Sequence, residues 1–313
     1  MTKDEQQSFL TKLNPKQKIK FIGSGTDSDA YQVGEYVYRF PHNHGVAVQY
    51  EREAAICNHI KDAISVDTPV IQVLKKPGII YAKHKMVMGN TWHQNTFAFH
   101  HSKQKNLADG LARFFAELHG CNLPQAFQKK IKANNFAYVD IQDIVPIISP
   151  FLSRWQLRLI TRKFNKIHKA KVDKSDMVLC HMGIKCGNAV IDDNGNLVGV
   201  FDFGNAGIHE RWSDFVLLST NKNKRLYKTI SRRYAEYTGI KFNYRRVKDL
   251  ASIVRFVYKR WFNADGTLCN VPARRIKRYL SQSLVTFMHM PPFVRHIIYW
   301  EMTLREHLHK SRQ

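Results

Sequence analysis

Acidic residues are scarce in this chain: 25 Asp and Glu stand against 49 Lys and Arg in 313 residues, a formal net charge of +24. The shortage is steepest at the end, where 21 basic residues from 221 onward meet only 5 acidic ones. A surface so poor in carboxylates is a bad host for polycations and suits anionic partners such as nucleic acid, acidic lipid or phosphorylated substrates. The charges are spread and form no single run, so a merely solvated basic surface accounts for them equally well, and nothing marks specific nucleic-acid binding. Long apolar runs are missing too: no stretch approaches the roughly 18 consecutive apolar residues of a membrane span, although 44% hydrophobic residues supply an ordinary core. Cysteine is sparse and odd in number, at Cys57, Cys121, Cys180, Cys186 and Cys269, which argues against a disulfide framework. The polar start "MTKDEQQSFL" lacks the apolar segment of a secretory signal. These absences together predict a reduced, cytoplasmic setting. There is no internal repeat, no low-complexity linker and no His-Glu-x-x-His pattern. The nearest thing to a zinc motif is Cys180, His181 and Cys186; adjacent Cys and His cannot easily chelate one ion, so free thiols are expected.

What is present divides in two. Residues 5–18 carry a short helical pattern. "FIGSGTDSDAYQVGEYVYRFP" then reads as strand, glycine-rich turn, strand, turn, strand, with Tyr31, Val33, Tyr36, Tyr38 and Phe40 alternating as in antiparallel pairing. A helix follows, predicted to turn Val48, Ala55, Ile56 and Ile60 to one face. Two more strands flank the Pro77-Gly78 turn. After Gly89 helices take over. Leu107, Leu111, Phe114, Phe115 and Leu118 share a broad face with Gly120 as the stop, a second helix covers 150–169, and the chain from about 212 is mostly helical and basic. The fold class is α+β, with a small, sheet-rich lobe at 1–88, a helical lobe at 89–313 and a cleft where they meet.

The chemistry concentrates in "LCHMGIKCGNAVIDDNGNLVGVFDFG". Asn194-Gly195 is the strongest short-range hairpin signal, and a ladder centred on it sets Asn188 beside Asp202 at the open end. An amide oxygen next to a carboxylate is a hard oxygen pair of the kind Mg²⁺ takes when it also binds phosphate, though polar-ended hairpins are common for other reasons. In "GSGTDSDA", Gly23 and Gly25 permit close backbone approach and N–H contact to phosphates, and tight turns use glycine anyway. Arg39 alternates with Tyr38 and Phe40 and so faces away from them. A cation there needs a partner, with Glu53 on the next helix as first candidate and Glu51 as second.

The order of these parts carries more than any one of them. Glycine-rich turn, cationic strand residue, helical Glu, hinge, His181 to Asn188, hairpin, Asp-Phe-Gly: this layout resembles the protein-kinase-like fold, and within it the aminoglycoside phosphotransferase family of small-molecule hydroxyl kinases. "LADGLARFFAELHG" resembles the helix before that family's catalytic segment, and "HERWSDFVLL" the aspartate-bearing helix start after it. The resemblance implies a two-lobed fold and ATP or GTP as co-substrate with Mg²⁺. It implies that Asp202 and Asn188 hold the metal, that Arg39 contacts the α- and β-phosphates while pairing with Glu53, and that Met86, Val87 and Met88 line the base through backbone groups. It makes His181 and Asp214 braces of the catalytic loop, and Lys185 a phosphate contact.

One position departs. The family's loop reads His, any residue, Asp, and that Asp receives the acceptor's proton; here the order is His181, Met182, Gly183, and no Asp or Glu lies between 177 and 191. Substitutes from elsewhere in the sequence are Asp176, His181 itself or Asp214, and sequence alone places none of them. A general base contributes about 10²- to 10⁴-fold, while phosphoryl transfer leans more on positioning and electrostatics. The sequence therefore supports two functions: a phosphotransferase with impaired or altered acceptor-side catalysis, and a pseudokinase that holds nucleotide and acts as a binding or scaffold module for an anionic partner. The basic C-terminal third argues against an aminoglycoside as the acceptor. Trp261, Tyr279, Tyr299 and Trp300 are read as pocket or core aromatics.

Overall fold

The computed structural model describes residues 1–25, 27–92, 101–124, 127, 141–184, 187–220, 223–257, 274, 276–278, 280, 281, 284 and 294–310. Its chain forms two compact units, one of Met1–Ala133 with Ser175–Phe242, the other of Asn134–Lys174 with Asn243–Gln313. The lobe boundary expected between 88 and 89 falls inside the first unit.

That unit begins with α1 (Lys3–Leu13), capped by Thr2 in a capping box with Glu5. The helix stops five residues short of the predicted end, because Asn14 caps it and Pro15 disfavours helical backbone before it. A five-stranded antiparallel sheet follows in the order β1 (Ile19–Ser24), β2 (Ser28–Val33), β3 (Tyr36–Pro41), β5 (Ile79–Lys85), β4 (Gln72–Lys76). Strand alternation sends Tyr31, Val33, Tyr38, Phe40 and Tyr81 to one face, where they pack with Leu10 and Phe9 of α1. Arg39 points to the other face, against α2 (His44–Ile60). The buried side of α2 is Val46, Ala47, Tyr50, Glu53, Ala54, Ile56, Cys57 and Ile60. The predicted face is corrected here, since Val48 is exposed and Ala55 only half-buried. The hydrophobic pattern misled because the helix turns a carboxylate, Glu53, into the interior.

Beyond β5, β6 (Asn90–Thr91) pairs with the hairpin β8 (Ala189–Ile191) and β9 (Leu197–Val200), while β7 (Met177–Cys180) pairs with β10 (Gly207–Glu210). The helix α3 (His101–Gly120) buries Leu107, Leu111, Phe114, Phe115 and Leu118, the face predicted for it. Its Gly110 lies under Leu197, where a Cβ would sit 2.6 Å from the leucine's own. The second unit is helical where described, at Ile141–Ile148, Arg154–His168, Tyr244–Val257 and Val294–Lys310. Within it Gln156 donates to Glu301 at 3.1 Å and Arg246 to the Ile167 carbonyl at 2.9 Å. Trp300 is exposed and Tyr299 half-buried, so neither is core; Trp261 and Tyr279 lie outside the described residues.

Candidate active site

The hairpin is built differently from the two-residue turn its Asn-Gly suggests. Asp192 and Asn196 close it (N–H to O, 3.0 Å), Gly195 N–H returns to Asp192 O at 3.0 Å, and Gly195 alone in the turn takes positive φ, +81°. This is a three-residue loop ending in a left-handed residue. Asp192 Oδ1 accepts from the N–H groups of Asn194 and Asn196 and stiffens it. A register shift at Val190 and Ile191 absorbs the extra residue, so Ala189 still faces Val200. Asn188 and Asp202 consequently meet, with Asn188 Nδ2 donating to Asp202 Oδ2 at 2.8 Å and to Gly183 O at 2.9 Å. Asp202 and Met182 are the described non-glycine residues at positive φ, 72° and 62°. Both lie at this site, and such backbone costs about 1–3 kcal/mol each.

Arg39 grips Glu53 with both ends of its fork, at 3.1 and 2.5 Å, and its guanidinium lies 4.6 Å from the centre of the Tyr50 ring. Burial opposes the charge on Glu53, but Arg39 and the Phe203 N–H outweigh it and hold the carboxyl below its ordinary range. That N–H donates to Glu53 Oε1 at 3.1 Å. Next to it Arg52 donates to the Gly204 carbonyl, and a Cβ on Gly204 would meet the flexible end of the Gln49 side chain. The helix α2 is therefore bound directly to the residues after Asp202. Glu51, the second candidate for Arg39, pairs with Lys75 instead, at 2.6 Å.

The loop before the hairpin hangs on Asp214. Its Oδ2 accepts from His181 N–H at 2.9 Å and its Oδ1 from Met182 N–H at 2.6 Å. His119 Nε2 lies 3.1 Å from Oδ2 and its Nδ1 2.8 Å from the Tyr234 hydroxyl, which accepts from Arg211 at 3.1 Å. Burial opposes the Asp214 charge, yet these donors keep its carboxyl low; burial likewise lowers His119 and keeps it neutral. For His181 the partners fix the tautomer. Gly183 N–H donates to Nδ1 at 3.0 Å, so the proton is on Nε2, which donates to Phe201 O at 3.2 Å. Burial pushes its pKa down as well.

His119, Cys180 and Asp214 bring three ligand atoms within 4.8 Å of one another. Those atoms serve the hydrogen-bond network just described, and burial pushes the Cys180 thiol well up, so it remains a weak donor to the carbonyls of His209 and Glu210. The cluster is a brace and not a metal centre. Spacing could not have found it, because its members come from α3, β7 and the turn at Arg211–Asp214.

Other predicted residues fall as follows. Gly25 N–H closes the turn onto Ser28 O at 2.9 Å, so it is not free for phosphate; Gly23 is open, with nothing within 4 Å of a Cβ. In the strip expected to line the base, Met86 N–H is taken by Glu35 O at 2.8 Å, Val87 packs on Gly199, and Met88 is exposed. Lys185 and Cys186 lie outside the described residues. The residues fit a magnesium-bound nucleotide in two respects. Asn188 and Asp202 stand side by side, with the amide nitrogen turned to Asp202 Oδ2, and Arg39 keeps a buried Nε that has no hydrogen-bond partner.

The model of the phosphotransferase enzyme family matches residues 18–250. Among solved structures, the chain is similar to an ADP-bound aminoglycoside phosphotransferase, APH(2'')-Ib, at 20% identity and TM-score 0.69, covering 91% of this chain and 99% of that one. It is similar to APH(2'')-IIa in complex with streptomycin and ATP, at 19% identity and TM-score 0.67, covering 92% and 99%. A macrolide 2'-phosphotransferase, MphH from Brachybacterium faecium, matches at 13% identity and TM-score 0.64, covering 90% and 97%. At these identities the likeness establishes a protein-kinase-like fold.

Proposed function

This chain belongs to the phosphotransferase enzyme family, and from that premise we propose that it moves the terminal phosphoryl group of ATP or GTP to a small hydroxyl-bearing compound other than an aminoglycoside. The observation that carries the reading is the joint placement of Asn188, Asp202 and the Arg39–Glu53 pair, tied through Phe203 and Gly204. Arg39 has both ends of its fork on Glu53, so it would meet phosphate with its guanidinium charge and the Nε that has no partner. Asp202 and Asn188 would hold Mg²⁺, which supplies charge neutralisation for the phosphates when bound. The glycine turn at Gly23 admits the phosphates close to the backbone. His181, uncharged and fully bonded, keeps the loop in shape without competing for the proton.

A second reading, the nucleotide-holding pseudokinase, is favoured by one observation, Gly183. One experiment separates the two. Melting is followed with Mg·ATP, Mg·GTP and nucleotide without metal; a ligand at about 100 times its Kd adds roughly 2.7 kcal/mol. Turnover of γ-labelled nucleotide by the wild type, lost by at least about 10³-fold in Asp202→Ala, supports the enzyme. Stabilisation without turnover supports the binding module, and no metal-dependent shift overturns both.

A further inference from the structure

Keeping the phosphotransferase reading but replacing its hydroxyl acceptor, we propose that the acceptor is an acid and not an alcohol: a small carboxylate or phosphate monoester whose oxygen is ionised before it meets the nucleotide. The loop is the starting point. Gly183 donates its N–H to His181 and accepts from Asn188 through its carbonyl, and its backbone lies outside the left-handed region. A Cβ there would stand 3.2 Å from the His181 ring and 3.5 Å from Asp202 O, tight but within a few tenths of an ångström of ordinary contact. Nothing in the path of the chain demands glycine. The loop keeps its form, and only the proton acceptor is gone.

Among the described residues, the three candidates in the sequence do not take its place. Asp214 has both oxygens committed to backbone N–H groups. Asp176 is held by Arg211 Nε at 2.7 Å and Trp212 Nε1 at 3.3 Å. His181 has its one lone pair occupied by Gly183 N–H. From 182 through 191 the chain contains no Asp, Glu or His. An alcohol, about as weak an acid as water with its pKa near 16, needs a group to receive its proton. A carboxyl, with a pKa about 4, or a phosphate monoester, whose second pKa is about 6, has shed it already at neutral pH. A chain at +24 attracts such anions and repels cationic alcohols.

The step balances without a base. The acceptor oxyanion forms a bond to the γ-phosphorus. The bond from that phosphorus to the oxygen bridging to the β-phosphate breaks, and its electron pair leaves with the nucleoside diphosphate. No proton changes hands. The product is an acyl phosphate or a phosphoanhydride.

The test uses the full chain, Mg·ATP and a series of size-matched acceptors: carboxylates, phosphate monoesters, fluorinated alcohols and plain alcohols. Acyl phosphates are trapped with hydroxylamine as hydroxamates. Transfer to the acids, falling by about tenfold or more as acceptor pKa rises above the assay pH, is the expected result. Gly183→Asp then shifts the ratio of plain-alcohol to acid transfer upward by about tenfold or more. Faster transfer to plain alcohols than to any acid overturns the proposal. So does the absence of any phosphorylated acid while Mg·ATP still raises the melting temperature. Loss of that shift removes the nucleotide reading itself, so the two failures are distinguishable.

Discussion

The two arms of the site are fastened by different means. At the arm around Asp202, side chains do the work: the fork of Arg39 on Glu53, Glu53 on Phe203, Asn188 on Asp202. At the loop around Gly183, the backbone is what is held: the N–H groups of His181, Met182 and Gly183 and the Gly183 carbonyl each find a partner. The difference explains how a side chain can be lost from the loop without the loop being lost. A site fixed through main-chain groups tolerates substitution at the position it displays; a site fixed through side chains does not.

Three substitutions test that contrast, and they should rank accordingly. Arg39→Met should be the most damaging to stability, about 3–5 kcal/mol in denaturant unfolding, because it strands the buried charge of Glu53. Asp214→Asn should cost less, about 2–3 kcal/mol, since an amide can accept from only one side where the carboxylate accepts on two. The second case carries a pH signature. Asp214 has its carboxyl depressed in the folded state, so its contribution is present above the unfolded value and is lost as pH falls through the folded one. The stability gap between wild type and Asp214→Asn should therefore hold at neutral pH and close in acid. Gly183→Ala should be the mildest, within about 1 kcal/mol, because the close contact with His181 is offset by a less flexible unfolded chain. A melting point lowered as far as that of Arg39→Met would break the comparison.

Much of the Asp202 arm could be read before folding. Alternation placed Arg39 opposite Tyr38 and Phe40, and the hairpin placed Asn188 against Asp202, even though the turn proved a residue longer and a bulge restored the register. Of the support beneath the loop only Asp214 could be read, through the family resemblance. His119, Tyr234 and Arg211 are brought to it by packing of α3 against the helix at Lys224–Thr238 and carry no spacing signal. The buried face of α2 was hidden for a related reason, that a paired carboxylate occupies a place where periodicity looks for an apolar side chain. His209 was equally silent. It is buried on β10 with both ring nitrogens unpartnered, and burial lowers its pKa to about 4.

Glu53 touches more than its ion pair. One carboxylate receives the strand residue Arg39 on one side and the N–H of Phe203, the residue that follows Asp202, on the other. It works as a coincidence detector: both inputs must be in place for its buried charge to be tolerated. A shift of α2 cannot release Arg39 and leave the Asp202 segment undisturbed, so the strand cation and that segment are set in place together or not at all.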